Sequence, residues 1–264
     1  MNVHSNAEVL SKGKFNSLIP MAIIGFIFFI LGFVTWQNGA LVPYLQMVCQ
    51  LSDSQAMMVA SVFYVAYTIM ALPSSIVLER IGYKNGIIVG LLSLSVGFVI
   101  YIPASSSQAF PLFLVAQFII GSGLTLLQTA VNPYVVKIGP ARSAAVRIMY
   151  MGLMNKGAGV IVPLVFTAVV VGELSGVTAV SLAAMSDMDR IETINSLANG
   201  LIYPYLWMAI AFVGLSALMK FTPLPELDNV NEQDNAEGQD SSKKSILHFP
   251  HLVLGAIVIF LYVG

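Results

Sequence analysis

Charged side chains are missing from five long stretches of this sequence, and that absence decides most of what the chain can become. No Asp, Glu, Lys or Arg occurs in residues 15–52, 54–78, 85–136, 157–172 or 193–219. A helix needs about 20 apolar residues to cross about 30 Å of hydrocarbon. The stretch 85–136 is long enough for two, parted by the polar turn Ser105-Ser106-Ser107-Gln108. Membrane helices are predicted near residues 18–47, 55–78, 86–104, 110–136, 144–172 and 200–221. Only 9% of the 264 residues are charged, against about 25% in an ordinary globular domain, so a water-soluble fold is excluded. A net charge of −1 leaves no basic face for nucleic acid, and the single Cys49 allows no internal disulfide.

The segments outside these helices complete the organisation. Residues 1–17 lack the apolar core of a cleavable signal peptide and are expected to form a cytoplasmic N-terminus before the six-helix bundle of residues 18–221. In residues 222–248, Glu226, Asp228, Glu232, Asp234, Glu237 and Asp240 alternate with Asn, Gln, Ser and Gly, which describes a solvated cytoplasmic linker. Residues 249–264 read as the start of a seventh helix, too short to cross, and on this reading the sequence is a fragment. With the N-terminus inside, Lys12, Lys14, Arg80, Lys84, Lys137, Arg142, Arg147, Lys220, Lys243 and Lys244 fall on the cytoplasmic side. Only Arg190 falls outside, in a loop with Asp187, Asp189 and Glu192, so the positive-inside rule gives a multi-pass membrane protein with its N-terminus in the cytoplasm.

Polar groups in a lipid-bathed helix are costly unless they face the bundle interior or a wet cavity. On the fourth helix Thr125, Gln128, Thr129 and Asn132 form one stripe at helical spacing, followed by Pro133. On the first, Thr35 and Asn38 lie beside Trp36 and Gln37; on the second, Ser61, Tyr64 and Thr68 line up next to Tyr67. On the fifth, Gly152, Asn155 and Gly159 share a face beside Lys156. Any one of these groups could serve only an interhelical hydrogen bond. Four stripes with an aromatic plate fit a neutral, hydroxyl-rich ligand better, because amides both donate and accept. Trp36, Asn38, Gln128, Asn132 and Asn155 are therefore the expected substrate-binding residues, with the indole stacking on a sugar ring. Lys156 lies about 18–20 Å into its helix at 1.5 Å per residue. With no acid at matching depth, its partner is a carboxylate elsewhere in the protein, cavity water, a substrate hydroxyl, or the interface reached by snorkelling. Gly86 and Gly90 read as close helix packing. His248 and His251 lack partners for a metal, none of the motifs of intramembrane or phosphate-binding enzymes occurs, and neither a metal, a cofactor nor an enzymatic activity is expected.

Two segments hint at an internal repeat, Gln37-Asn38-Gly39-Ala40-Leu41-Val42-Pro43-Tyr44 and Gln128-Thr129-Ala130-Val131-Asn132-Pro133-Tyr134, each in the first helix of a triplet. Together with residues 28–39, Ala71-Leu72-Pro73-Ser74, Ile138-Gly139-Pro140 and Met151-Gly152-Leu153-Met154-Asn155-Lys156, they resemble the major facilitator superfamily in its bacterial fucose-permease branch, closest to the glucose/galactose transporters. The resemblance runs from about residue 18 onward. It implies an all-α fold, the six-helix N-terminal half of a twelve-helix carrier built as two three-helix inverted repeats, with a missing C-terminal half as partner. It also implies cation-coupled import of a small neutral sugar by alternating access: glucose or galactose first, N-acetylglucosamine or fucose second. The loop Leu78-Glu79-Arg80-Ile81-Gly82-Tyr83-Lys84 resembles the superfamily's loop between helices 2 and 3, making Glu79 and Arg80 a cytoplasmic gate, although Glu79, Ser75 and Tyr83 depart from its usual pattern. The proton-coupled fucose carriers use an Asp and a Glu where this sequence has Gly39 and Gln128, which do not titrate, so the coupling ion, Na+ or H+, stays open. The reading of another class is a six-helix membrane receptor or assembly protein, complete as it stands.

Overall fold

The computed structural model describes residues 3–166 and 179–224, with isolated positions at 168, 177, 227, 254, 255, 257 and 258. The far end of the fifth predicted helix, most of the linker and the start of the seventh helix lie outside the described residues. The chain divides into units Met1–Leu227 and Asp228–Gly264, and the helical bundle is formed by the first.

The helices are α1 (Val3–Val48), α2 (Asp53–Ile69), α3 (Ala71–Ile81), α4 (Tyr83–Ser106), α5 (Phe110–Lys137), α6 (Ala144–Phe166), α7 (Ala179–Ala184), α8 (Asp187–Gly200) and α9 (Ile202–Phe221). Among the described residues five helical spans are long and apolar enough to cross a membrane, and six when the bent pair α2–α3 counts as one. Two breaks interrupt the helical runs, and one physical cause accounts for both. Pro73 and Pro204 each lack an N–H and crowd the carbonyl four residues back; those carbonyls belong to Ile69 and Gly200, the last residues of α2 and α8. At the first break the axis bends by 49°.

The acidic segment expected to be a loop instead forms α8. The Ser186 hydroxyl accepts from the Asp189 N–H at 3.3 Å, and Asp187 and Asp189 sit in the first turn, where the helix dipole favours negative charge. Ile194, Leu197 and Ala198 bury its apolar side. The Tyr44 hydroxyl donates to the Leu197 carbonyl at 2.5 Å, the Ser105 hydroxyl to that of Ala198, and the Gln108 amide to Asn195 at 2.9 Å.

The two triplets, α1 to α4 and α5 to α9, interlock reciprocally. The leading helix of each packs on the middle helix of the other, α1 on α6 and α5 on α2, and the trailing helices α4 and α9 pack together. This exchange is what two inverted three-helix repeats require. Backbone meets backbone at both cross-contacts. A Cβ on Gly32 would lie 2.2 Å from the Asn155 carbonyl oxygen of α6, and one on Gly121 would lie 2.6 Å from that of Phe63 in α2. The Gly86 and Gly90 pair likewise seats α4: a Cβ on Gly90 would meet Leu127 of α5 at 2.9 Å.

Arg147, in sequence only one more positive-inside charge, is buried. Its guanidinium donates to the carbonyls of Val135 at 2.7 Å, Val136 at 2.9 Å and Pro140 at 2.9 Å, and to the Ser143 hydroxyl at 2.7 Å. It thereby satisfies the orphan carbonyls at the end of α5 with a cation placed where the dipole favours one.

This packing sets the expected outcome of three glycine substitutions. Gly32→Ala should lower the melting temperature of the purified protein by an amount matching at least about 1–3 kcal/mol of overpacking. Gly39→Ala and Gly152→Ala, with nothing within 4 Å of the added methyl, should leave it nearly unchanged; thermal unfolding in detergent separates the three. Half-buried Cys49, just past the end of α1, has its thiol pushed up to about 11 by burial. Because the thiolate is the nucleophile, iodoacetamide labelling of the Cys49 peptide at pH 8 should run about 100-fold slower than for an open thiol. The rate should keep rising to pH 10, read by mass spectrometry.

Candidate functional site

The α1–α6 contact builds one half of the site. With α1 seated on the Asn155 carbonyl at Gly32, Trp36 lands one turn further along, against Gly159, where a Cβ would come within 2.7 Å of the indole. The indole is backed by this glycine but remains 41% exposed on its other side. Lys156, itself exposed, places its Nζ 5.4 Å from the ring centroid, within the range of a cation–π contact. The Asn155 amide is half-buried and donates to the Phe28 carbonyl at 3.3 Å. Gly152, one turn before Lys156, has open space beside it.

The α5–α2 contact builds the other half. The Thr125 hydroxyl lies 2.8 Å from the Gly121 carbonyl and 3.1 Å from that of Tyr67, and is buried in the helix interface. The Tyr67 hydroxyl donates to Oε1 of Gln128. This fixes the half-buried Gln128 and leaves its amide nitrogen free to be a donor. Thr129 returns its hydroxyl to the Thr125 carbonyl at 2.8 Å, and Asn132 is exposed. On α2, Ser61 and Thr68 bond carbonyls of their own helix, at 2.8 and 3.0 Å, while the Tyr64 ring is 55% exposed.

The expected residues therefore separate. Trp36, Gln128, Asn132, Asn155 and Lys156 all keep surface that a ligand can reach. Asn38 does not: it is 6% exposed, and its Oδ1 accepts from the Gln117 amide of α5 at 2.5 Å. The space around this pair, walled by Val34, Leu41, Phe98 and Ile120, amounts to about 10 Å³, at most one water. The amide read as a substrate ligand is thus used between helices, because a buried carbonyl without a donor is more costly than one that is paired. Gln117 escapes the sequence reading, although it continues the α5 stripe of Thr125 and Thr129 back through Gly121 at intervals of four. Gln37 is buried as well, its Nε2 donating to the Tyr205 hydroxyl at 3.0 Å. Glu79 and Arg80 are exposed in the last turn of α3. Among the described residues no group of three or more His, Cys, Asp or Glu could hold a metal ion.

Three comparisons bear on this arrangement. The sequence model of the Major Facilitator Superfamily matches residues 22–264. The chain is 37% identical over 238 residues to a glucose/galactose transporter of Brucella abortus, covering 90% of this chain and 53% of that protein. It is 30% identical over 254 residues to the L-fucose–proton symporter of Escherichia coli, covering 94% and 57%. A crystal structure of an E. coli fucose:proton symporter superposes with a TM-score of 0.70 at 28% identity, over 85% of this chain and 54% of that one. The chain spans about half the length of the curated relatives it matches.

The split between structural and accessible amides is open to test. Gln117→Leu strands the buried Asn38 carbonyl and should cost about 1 kcal/mol, in the range found for hydrogen bonds between membrane helices. Lys156→Met removes an exposed ammonium and should leave the melting temperature in detergent almost unmoved. Equal losses in the two variants would show that Lys156 is a structural partner instead.

Proposed function

This chain belongs to the major facilitator superfamily, and on that premise we propose that its transporter imports a neutral monosaccharide, glucose or galactose, by cation-coupled symport with alternating access. The all-helical fold is that of the N-terminal half of a major facilitator protein. Supporting the substrate are the names of relatives, among them the Brucella glucose/galactose transporter. The observation that carries the reading is the Trp36 indole, seated on Gly159, open on its other side and flanked by Lys156.

In this reading the indole covers the apolar face of the sugar ring, as aromatic faces do with C–H surfaces. Gln128, its oxygen taken by Tyr67, offers N–H to a hydroxyl. Asn132 and Asn155 supply further amide contacts, and Lys156 donates to the sugar or pairs with a group from the other half. Asn38 acts at one remove, stiffening α1 against α5 through Gln117 so that Trp36 is held in place. Glu79 and Arg80, at the end of α3, form a cytoplasmic gate on this assignment, with the N-terminus inside. Since neither Gly39 nor Gln128 titrates, the coupling ion enters through other groups.

The direct measurement is counterflow of labelled glucose and galactose by the full-length transporter in proteoliposomes. Saturable exchange of either is expected, reduced at least tenfold in Trp36→Leu and in Gln128→Leu. Uptake of only N-acetylglucosamine or fucose would reassign the sugar, and uptake of an unrelated solute would overturn the reading. Sodium and pH gradients imposed separately identify the coupled cation.

A further inference from the structure

We infer that the bundle binds one water molecule as a structural ligand, held where α1, α4 and α5 meet and bonded to Gln37 and Tyr101. These two side chains line the same cavity, together with Asn38 of α1 and Gln117 of α5. Gln37 is 4% exposed and Tyr101 1%. Gln37 gives its Nε2 to the Tyr205 hydroxyl, but its Oε1 has no hydrogen-bond partner, and neither has the Tyr101 hydroxyl. Buried polar groups of a native fold are paired, with protein or with ordered water. The cavity holds about 10 Å³, the room that one water needs. None of the residues that line it is more than 6% exposed, so the molecule is sealed between the helices.

The hydrogen-bond balance identifies the occupant. The Tyr101 hydroxyl has a proton to give, and Gln37 Oε1 has lone pairs to fill. A water accepts from the first and donates to the second. Its other proton goes to Asn38 Oδ1, which accepts from Gln117 at 2.5 Å and keeps a second lone pair. Three bonds is the usual number for a buried water. Turning the Gln37 amide over exchanges its poles; the water then accepts from Nε2 and donates to the tyrosine oxygen. A sodium ion would satisfy the Gln37 oxygen but offers the Tyr101 proton no acceptor, and no charged side chain lines the cavity to offset its charge. Bound in this way the water joins α1 to α4, and Gln37 carries the link on to Tyr205 of α9. It anchors the two residues that follow Trp36 on α1, and it does so whatever the protein carries.

The test combines melting temperatures of the full-length protein in detergent with its high-resolution crystal structure. Tyr101→Phe keeps the ring that stacks on Tyr205 at 4.5 Å and removes only the hydroxyl. With the water in place it should lower the melting temperature by about 2–4 °C, the share of one hydrogen bond. In a dry cavity the same change deletes an unpaired buried hydroxyl and should raise the melting temperature or leave it unchanged. Gln37→Leu also gives up the bond to Tyr205, so the coupling between the two sites is the diagnostic quantity. In the Gln37→Leu background, Tyr101→Phe should cost no more than about half of what it costs in the parent. Electron density should show one ordered water within hydrogen-bond distance of both the Gln37 amide and the Tyr101 hydroxyl, and this holds for the parent protein even where a variant fails to fold. No density there, a Tyr101→Phe variant as stable as the parent or more so, full additivity of the two substitutions, or a Tyr101→Phe shift that vanishes when sodium is replaced by choline would each overturn the assignment.

Discussion

Two backbone-to-backbone contacts hold this bundle in register. At Gly32 and at Gly121 a helix from one triplet lies directly on a carbonyl of the other, at separations where any Cβ would collide. Lipid tails are as apolar as leucine, so there is no hydrophobic gain to pull membrane helices together, and close van der Waals approach must supply the association. The same two contacts set the site. Trp36 and Lys156 flank the first; Tyr67 and Gln128 flank the second. The repeat architecture and the placement of the candidate residues are consequences of one arrangement, since the helix that leads each triplet carries its polar segment past the crossing point.

Most of the buried polar groups serve cohesion. Asn38 with Gln117, Gln37 with Tyr205, Thr125 with Tyr67, Tyr44 and Ser105 with α8: each joins two helices, and each donor finds an acceptor where water cannot. Arg147 follows the same logic at the end of α5, spending its donors on carbonyls. Against this background the residues that keep open surface stand apart. Trp36, Lys156, Asn132 and part of Gln128 are not consumed by packing, and that is the physical ground for reading them as a site.

The spans were legible because charge is excluded from hydrocarbon, a rule that acts on composition alone and needs no tertiary knowledge. The breaks at Ile69 and Gly200 were legible in principle, since Pro73 and Pro204 lie four residues beyond them. The acidic α8 was missed because its many charges outweighed the short apolar side formed by Ile194, Leu197 and Ala198. Asn38 illustrates a deeper limit. Helical spacing tells which residues share a face, and it does not tell whether that face meets a cavity or a neighbour. In this structure the face of Asn38 meets Gln117, a neighbour that lies 79 residues away.

Lys156 poses the question that this half of the fold leaves to its surroundings. An ionised lysine at the centre of a membrane helix costs roughly 2.5–3.5 kcal/mol on insertion scales. A cation–π contact at 5.4 Å from Trp36 recovers about 0.5–2 kcal/mol, the larger value only when desolvated. The remainder has to come from snorkelling towards the interface or from outside these spans, whose sequence offers no acid at matching depth. If the chain is half of an alternating carrier, cavity water would meet it when the face is open and a carboxylate or a substrate oxygen when the face is closed. On the transport reading proposed above, alternating access changes the surroundings of Lys156 in every cycle, and the energy of this one ammonium would depend on whether cargo is present.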